Sequence, residues 1–222
     1  MSFHKKIYAI LLILICSSSA QAAKNTIGIL VYDGVLTSDI TAPIEVFGAA
    51  TKKAWFSDYK VVLIAVNKQT SITTEEGLRI NVDHSIADDL KLDVLLVPSS
   101  YSMGPLLSNK KLISFIQDQS TKTQWLASNC SGAFLLAEAG LLNGVKATTW
   151  AGGEKELKSD YPAVDVQFDQ NVVIDKNIIT SNGSVVSYQA ALILLEKLSS
   201  KDFSKEISEA IQWQRLQSAF KS

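Results

Sequence analysis

Cys130 is the residue whose type and setting best suit covalent chemistry. It lies in Trp125-Leu-Ala-Ser-Asn-Cys-Ser-Gly-Ala-Phe134, which predicts a buried strand over 125–128, a sharp turn, and a helix opening at Gly132. This order is that of a nucleophile elbow, with Cys in place of Ser. The free N–H groups of a helix start favour an anion, so we expect the Cys130 thiol to ionise more readily than a free thiol. The same pattern also fits a Cys that is buried as a small apolar side chain.

A cysteine nucleophile needs a group that moves a proton, and the candidates are few. His84 is the only histidine besides His4, and its place at the end of a predicted edge strand favours a partly exposed structural role. Asp39 falls in the loop after the first predicted strand, on the same rim as Cys130, and Glu45 falls one turn into the next helix. Spacing favours Asp39 as acid/base and Glu45 as structural, although an Asp before Thr41 also suits a helix cap.

Ser131 offers two groups beside the thiol. Its backbone N–H suits an oxyanion donor and its hydroxyl a substrate contact, while the plainer interpretation is a helix N-cap. These roles are compatible. One Cys and one His in the folded part do not make a zinc site, and we expect neither a metal nor another cofactor.

The first 22 residues have the pattern of a secretory signal peptide. Lys5 and Lys6 precede an uncharged run over 7–15, and Ala20-Gln-Ala22 fits a small-x-small cleavage site. The apolar run is too short to cross a bilayer, so an anchor is the weaker interpretation. We expect cleavage after Ala22 and a periplasmic or secreted protein with residues 23–222 as one domain. Cys16 then leaves with the signal, and Cys130 has no intramolecular partner for a disulfide.

Composition excludes some classes of function. The chain has 222 residues, 21 basic and 22 acidic side chains, and 47% apolar residues. This balance gives no reason to expect binding to nucleic acid or to an anionic membrane, and it suits one compact domain with a large core.

The remaining elements alternate between strands and helices. Strands are predicted over 26–32, 59–66, 93–98 and 178–181, a hairpin over 71–82, a strand pair over 164–168 and 172–174, and an extended piece over 146–150. Helices are predicted from Thr41 onward and over 83–90, 109–120, 152–159, 187–198 and 203–220. This alternation predicts an α/β three-layer sandwich with a mostly parallel sheet. Loops 33–41, 99–104 and 129–131 would meet at the carboxyl ends of the strands, where such sheets bind ligands.

Several segments together resemble the ThiJ/PfpI superfamily, whose fold is flavodoxin-like and of the class I glutamine-amidotransferase type. The closest likeness is to isonitrile hydratases and to the amidase-like domains of AraC-type regulators. The segments that carry it are Leu30-Val-Tyr-Asp-Gly34, Asp39-Ile-Thr-Ala-Pro-Ile-Glu-Val-Phe47, Asp93-Val-Leu-Leu-Val-Pro98, Asn129-Cys-Ser-Gly-Ala-Phe134, Ala139-Gly-Leu-Leu-Asn-Gly144, Lys146-Ala-Thr-Thr149 and Ile179-Thr-Ser-Asn-Gly183.

The resemblance implies particular chemistry. It assigns catalytic roles to Cys130, Asp39 and Ser131: thiolate addition to an electron-poor carbon, proton delivery by Asp39, and release of an N-formyl amide by water. It also implies a small-molecule substrate and a homodimer, for which the amphipathic stretch 207–220 could serve. The chain has no helix-turn-helix segment after the domain, so direct transcriptional regulation is not expected.

Three departures from the family fall near the expected pocket. Ser99-Ser100 stand where the family usually has Gly-Gly, Trp150-Ala151 follow Ala-Thr-Thr where His-Trp is common, and Ser187-Tyr-Gln189 replace Gly-x-Asp. We therefore expect Ser99, Ser100 and Trp150 to bind substrate and to set a different specificity.

The leading hypothesis is a Cys130-dependent hydratase or hydrolase of a small electrophilic molecule. The alternatives are a non-catalytic module that binds a small ligand or senses oxidants through Cys130, and a scaffold that has lost turnover.

Overall fold

The computed structural model describes residues 23–54 and 57–219. In chain order the elements are β1 (Ala23–Val31), α1 (Thr37–Lys53), β2 (Ser57–Ala65), β3 (Ser71–Thr73), β4 (Arg79–Asn81), β5 (His84–Ser85), β6 (Val94–Val97), α2 (Gly104–Leu107), α3 (Lys110–Ser120), β7 (Trp125–Asn129), α4 (Gly132–Glu138), β8 (Lys146–Ala147), α5 (Glu154–Asp160), β9 (Asp165–Val166), β10 (Val172–Asp175), β11 (Ile178–Ser181), α6 (Val186–Leu198), α7 (Lys201–Ala210) and α8 (Trp213–Ala219). The predicted signal peptide lies outside the described residues.

A seven-stranded sheet forms the middle layer. Its strand order is β10-β11-β7-β6-β1-β2-β5, and only the pair β10–β11 is antiparallel. Strand β6 is buried along its whole length, as expected of a parallel strand covered on both faces. Helices α1, α6 and α7 pack together, and α3 and α4 pack against β6 and β7. The predicted α/β sandwich with a mostly parallel sheet is therefore confirmed.

This topology brings four strand ends to one edge of the sheet. Strands β1, β6, β7 and β11 run parallel and adjacent, so the residues that follow them lie side by side. The loop after β1 bonds to the loop after β6, where Leu36 N–H donates to Ser99 O at 3.0 Å. The predicted convergence of loops is present, and the turn after β11 joins it.

Helix α1 begins earlier than its sequence predicts. Thr41 lies inside the helix, which starts at Thr37. The first donor of the helix is satisfied by a distant segment, since Thr37 N–H donates to the carboxylate of Glu76, in the β3–β4 hairpin, at 2.9 Å. Asp39 consequently lies in the first helical turn and not in the preceding loop.

Three other predictions are wrong. Residues 83–90 are not helical, because Asp83 N–H and Ile86 N–H bond to the β2 carbonyls of Leu63 and Ala65. The predicted strand pair does not form, because β9 pairs with β8, and β10 pairs with β11.

The third error is the predicted continuous helix over 203–220. It is divided into α7 and α8 by Gln212, whose φ is 63°. The predicted hairpin exists, but as a separate two-stranded sheet, β3–β4. No helix in the described part of the chain is long and apolar enough to span a bilayer.

Candidate active site

Cys130 occupies a strained turn that is held from both sides. Its φ is 51°, in the left-handed region that a non-glycine residue adopts at a cost of about 1 kcal/mol or more. Its N–H donates to Ser181 O at 2.8 Å, and the Thr149 hydroxyl donates to its carbonyl at 2.9 Å. A Cβ on Gly132 would lie 2.1 Å from Val97 O, so only glycine lets the elbow pack this closely on β6. The predicted strand–turn–helix geometry is present.

Asp39 is enclosed by donors. Its side chain is fully buried. Oδ2 accepts from the Ser99 N–H at 3.1 Å and from the Ser99 hydroxyl at 2.5 Å. Oδ1 accepts from the Ser184 N–H at 3.0 Å and from the Ser187 hydroxyl at 3.0 Å. The carboxylate therefore makes no cap bond to α1, and its partners come from the loops after β6 and β11 and from the first turn of α6.

The carboxyl and the sulfur are neighbours across Gly183. A Cβ added to Gly183 would lie 2.4 Å from Cys130 Cβ and 2.9 Å from Asp39 Oδ1. The φ of Gly183 is +76°, which glycine adopts freely. The turn after β11 therefore needs a residue without a side chain, because it packs between the two groups.

Burial raises the pKa of both groups. For Cys130 the largest cause is desolvation, followed by the negative charge of Asp39, and hydrogen bonds from Ser99 and Ser131 act in the opposite direction. For Asp39 desolvation again dominates over the bonds from Ser99, Ser184 and Ser187. The expectation of a thiol that ionises readily is wrong, because burial and the neighbouring Asp39 carboxylate both favour the neutral thiol.

A cavity of about 770 Å³ opens in front of the sulfur. Its lining is formed by Leu36, Ser100, Tyr101, Met103, Cys130, Ser131, Trp150, Ala151, Glu156, Asn171, Asn182, Gly183, Ser184, Val185 and Val186. Most of this surface is apolar, and Glu156 is the only charged side chain among these residues. The cavity is of a size that holds a small organic molecule.

Of the three residues predicted to bind substrate, two line the cavity and one does not. Ser100 and Trp150 line the cavity, and the Trp150 ring stacks on Phe134 at a centroid distance of 5.2 Å. Ser99 does not line it, because its hydroxyl is buried against Asp39. Ser131 lines the cavity and precedes α4, but its hydroxyl donates to Ser100 O at 3.2 Å and makes no cap bond.

The two remaining candidates lie away from the sulfur. Glu45 is exposed and accepts a hydrogen bond from the Tyr188 hydroxyl. His84 lies on β5, at the sheet edge beyond β2, with its Nδ1 3.7 Å from the Asp88 carboxylate. Both have the structural positions that the sequence predicted for them. In residues 23–54 and 57–219 no three His, Cys, Asp or Glu side chains are placed to hold a metal ion.

Sequence reasoning missed the contribution of the turn after β11. Ser181 donates to Asn129 Oδ1 at 2.7 Å, and Asn129 Nδ2 donates to Asp39 O at 3.0 Å, which ties α1 to the elbow strand. Ser184 and Ser187 complete the surroundings of Asp39. The available signal was Asn182-Gly183 directly after a strand whose carboxyl end faces the site.

Comparison with known proteins identifies the family. The family model for the DJ-1/PfpI family matches residues 25–197. The chain belongs to the DJ-1/PfpI family. This confirms the resemblance to ThiJ/PfpI proteins that the sequence segments carry.

Within the family, the chain is similar to proteins that are named for different functions. It is 29% identical over 188 residues to the isonitrile hydratase of Pseudomonas putida, covering 84% of this chain and 78% of that protein. It is 21% identical over 192 residues to the HTH-type transcriptional regulator GbdR of Pseudomonas aeruginosa, covering 86% of this chain but 52% of the regulator. Both likenesses agree with those that the sequence segments indicated.

A solved structure of a ThiJ/PfpI family protein from Pseudomonas syringae superposes with a TM-score of 0.76. Its sequence identity is 22%, over 93% of this chain and 82% of that one. This likeness supports the DJ-1/PfpI fold.

Proposed function

We propose that this DJ-1/PfpI protein is a cysteine-dependent enzyme that adds water to a small neutral electrophile, with isonitriles as the substrate class. The observation that carries the proposal is a sulfur at the floor of an apolar cavity, with an enclosed carboxyl directly behind it. The similarity to an isonitrile hydratase supports the choice of substrate.

The reaction proceeds in two additions. The Cys130 sulfur bonds to the terminal carbon of R–N≡C, and that carbon takes the proton that the thiol gave up, so the product is the thioimidate R–N=CH–S–Cys130. Water then adds to the same carbon, and one of its protons goes to nitrogen. The carbon–sulfur bond breaks as the new hydroxyl becomes the carbonyl, and the second water proton goes to the sulfur. The product is the formamide R–NH–CHO, and the atoms of one isonitrile and one water are all accounted for.

Named groups of the site suit these steps. Asp39 has a raised pKa, which places a carboxyl that holds a proton more firmly than usual beside the sulfur. The Ser131 N–H stabilises the thiolate, and the Ser131 hydroxyl, which donates to Ser100 O, does so when it turns to the sulfur. The apolar lining suits the organic substituent R, since it buries hydrocarbon and offers few competing polar groups.

The protonation state of the thiol favours an enzyme over an oxidant sensor. Peroxide reacts with thiolates, and burial raises the pKa of Cys130, which lowers its thiolate fraction in the resting protein. An enzyme needs the thiolate only when its substrate is bound, and Asp39 lies beside Cys130 to exchange the proton at that stage.

The test is turnover of tert-butyl isonitrile, followed by the formamide proton in NMR. We expect formamide from the wild type, none from Cys130→Ala, and a loss of at least about a hundredfold in kcat for Asp39→Asn, the usual scale of an acid/base contribution. Glu45→Gln is the matched control, because it neutralises a carboxylate of the same helix that is exposed and outside the cavity. Wild-type protein that binds the isonitrile but forms no formamide contradicts the proposal.

We also propose that the protein is exported, which rests on the signal-peptide pattern of residues 1–22. Mass spectrometry of the protein expressed in a Gram-negative host is expected to show a chain beginning at Ala23 in the periplasmic fraction. Full-length protein confined to the cytoplasm contradicts export.

A further inference from the structure

Ser99 holds a position that neither substrate binding nor simple packing explains. Its side chain is fully buried and is not part of the cavity lining. Its hydroxyl donates to Asp39 Oδ2, and Ser99 is also one of the hydrogen-bonding groups that lower the pKa of the Cys130 thiol. The loop that carries Ser99 contacts the elbow directly, since Ser100 O accepts from the Ser131 hydroxyl at 3.2 Å. A serine hydroxyl has one proton to donate, so it cannot serve the carboxylate and the thiolate together.

We propose that the Ser99 hydroxyl is a proton relay that couples ionisation of Cys130 to protonation of Asp39. In the forward direction the Cys130 S–H bond breaks as its proton passes to Ser99 Oγ. The original Ser99 proton passes to Asp39 Oδ2, and an O–H bond forms there. Ser99 ends as it began, one proton has moved from sulfur to carboxyl, and no other reactant is required.

The groups around Asp39 and Cys130 favour a proton exchange between these two residues. Asp39 affects the Cys130 thiol through its charge, whereas Ser99 hydrogen-bonds to both groups and so connects them. The other titratable side chain facing the pair is Tyr32, whose hydroxyl donates to Pro98 O at 2.6 Å and whose pKa burial raises well above its ordinary value. Glu156 lies in the cavity wall on α5. Neither Tyr32 nor Glu156 is a cation, so neither would stabilise the thiolate if Asp39 did not take the proton.

Removal of the Ser99 hydroxyl affects the two proton arrangements unequally. An ionised Asp39 would keep three donors, namely the Ser99 N–H, the Ser184 N–H and the Ser187 hydroxyl. The thiolate would keep only the groups of Ser131. A protonated Asp39 would also lose the acceptor for its Oδ2 proton. The arrangement with a neutral carboxyl and a thiolate is therefore the one that depends on Ser99.

The test is the rate of Cys130 alkylation by iodoacetamide between about pH 5 and about pH 9. The two arrangements contain the same number of protons, so their ratio does not change with pH between the two apparent pKa values of the pair. We therefore expect the wild-type alkylation rate to fall as pH decreases only until it reaches a constant minimum. This pH-independent minimum rate is called the floor below. A wild-type rate that keeps falling tenfold for every pH unit overturns the relay, and this measurement needs no variant.

Two serine variants give opposite expectations. Ser99→Ala is expected to lower the floor by about tenfold, the scale of one lost hydrogen bond to a charged group. Ser187→Ala is the matched control, because it removes a hydroxyl donor from Asp39 and none from the sulfur; it disfavours the carboxylate and raises the floor. Asp39→Asn is expected to abolish the floor. Equal shifts in Ser99→Ala and Ser187→Ala overturn the relay.

The inference depends on the proposed function only in treating Cys130 as the nucleophile. Iodoacetamide reports the thiolate without any isonitrile. A protein with the expected floor and no formamide production would contradict the hydratase alone, and formamide production without a floor would contradict the relay alone.

Discussion

At the residue scale, the enclosed carboxyl of Asp39 makes stability depend on pH in a direction unusual for an aspartate. Its pKa in the folded protein is raised from the ordinary value of 3.8, chiefly by burial. The folded state therefore holds this proton more firmly than the unfolded chain does. The contribution to stability is fully present below the unfolded pKa and is lost as pH rises through the folded pKa.

We expect Asp39→Asn to remove this component. The free energy of unfolding, measured in urea from about pH 4 to about pH 8, should fall with pH in the wild type relative to the variant. Asn also changes the hydrogen bonds to Ser99, Ser184 and Ser187, which adds an offset that does not vary with pH. A wild-type minus variant difference that stays constant over this range contradicts the raised pKa. Glu45→Gln, on the exposed side of α1, is the control for a general loss of charge.

At the element scale, the elbow depends on the close approach of α4 to β6. Gly132→Ala would place a methyl group 2.1 Å from Val97 O and 2.9 Å from Pro98 O, both backbone atoms that cannot rotate away. We expect a loss of at least about 2 kcal/mol in the free energy of unfolding, the scale of overpacking in a core.

Gly48→Ala is the matched control for that substitution. Gly48 is an exposed residue of α1 with open space where a Cβ would be. Alanine there is expected to stabilise the protein by about 0.5–1 kcal/mol, because glycine is a poor helix former. Urea unfolding at one pH measures both variants. A Gly132→Ala protein as stable as the wild type would show that the elbow relaxes without cost.

The elements that sequence predicted well are those whose pattern is local. The buried parallel strands are continuous apolar runs, and the elbow combines such a run with small residues and a helix start. The errors come from contacts between distant segments. The start of α1 is set by Glu76 from the β3–β4 hairpin, and the register of β9 and β10 is set by partners that alternation cannot reveal.

The features of the site likewise divide into those that local sequence patterns predict and those that depend on distant contacts. Asp39, Cys130 and Ser131 follow from the order of strand ends in a parallel sheet, which places them on one rim. The raised pKa of Cys130 could not be predicted in this way, because it depends on burial and on the nearby Asp39 carboxylate. Ser184, in the turn after β11, and Ser187, in the first turn of α6, come close to Asp39 only in the folded chain. The predicted homodimer and export stay predictions.

At the scale of the whole molecule, the charge of the cavity should select among substrates. Glu156 is the only charged side chain among the cavity residues, although the chain as a whole is nearly balanced, with a net charge of −1. Because the described lining residues supply one carboxylate and no cation, the cavity repels an anion and tolerates a neutral molecule.

The matched pair of substrates is 2-isocyanoacetamide, which is neutral, and isocyanoacetate, which is an anion of nearly the same size. We expect wild-type kcat/KM to favour the amide. Glu156→Gln should raise kcat/KM for the anion about two- to fivefold, as expected for one partly solvated charge, and leave the amide within about twofold. Asp160→Asn is the control, because it removes the same charge from the same helix α5 outside the cavity lining. Equal gains for the anion in both variants would show that overall net charge, and not the cavity wall, sets the preference.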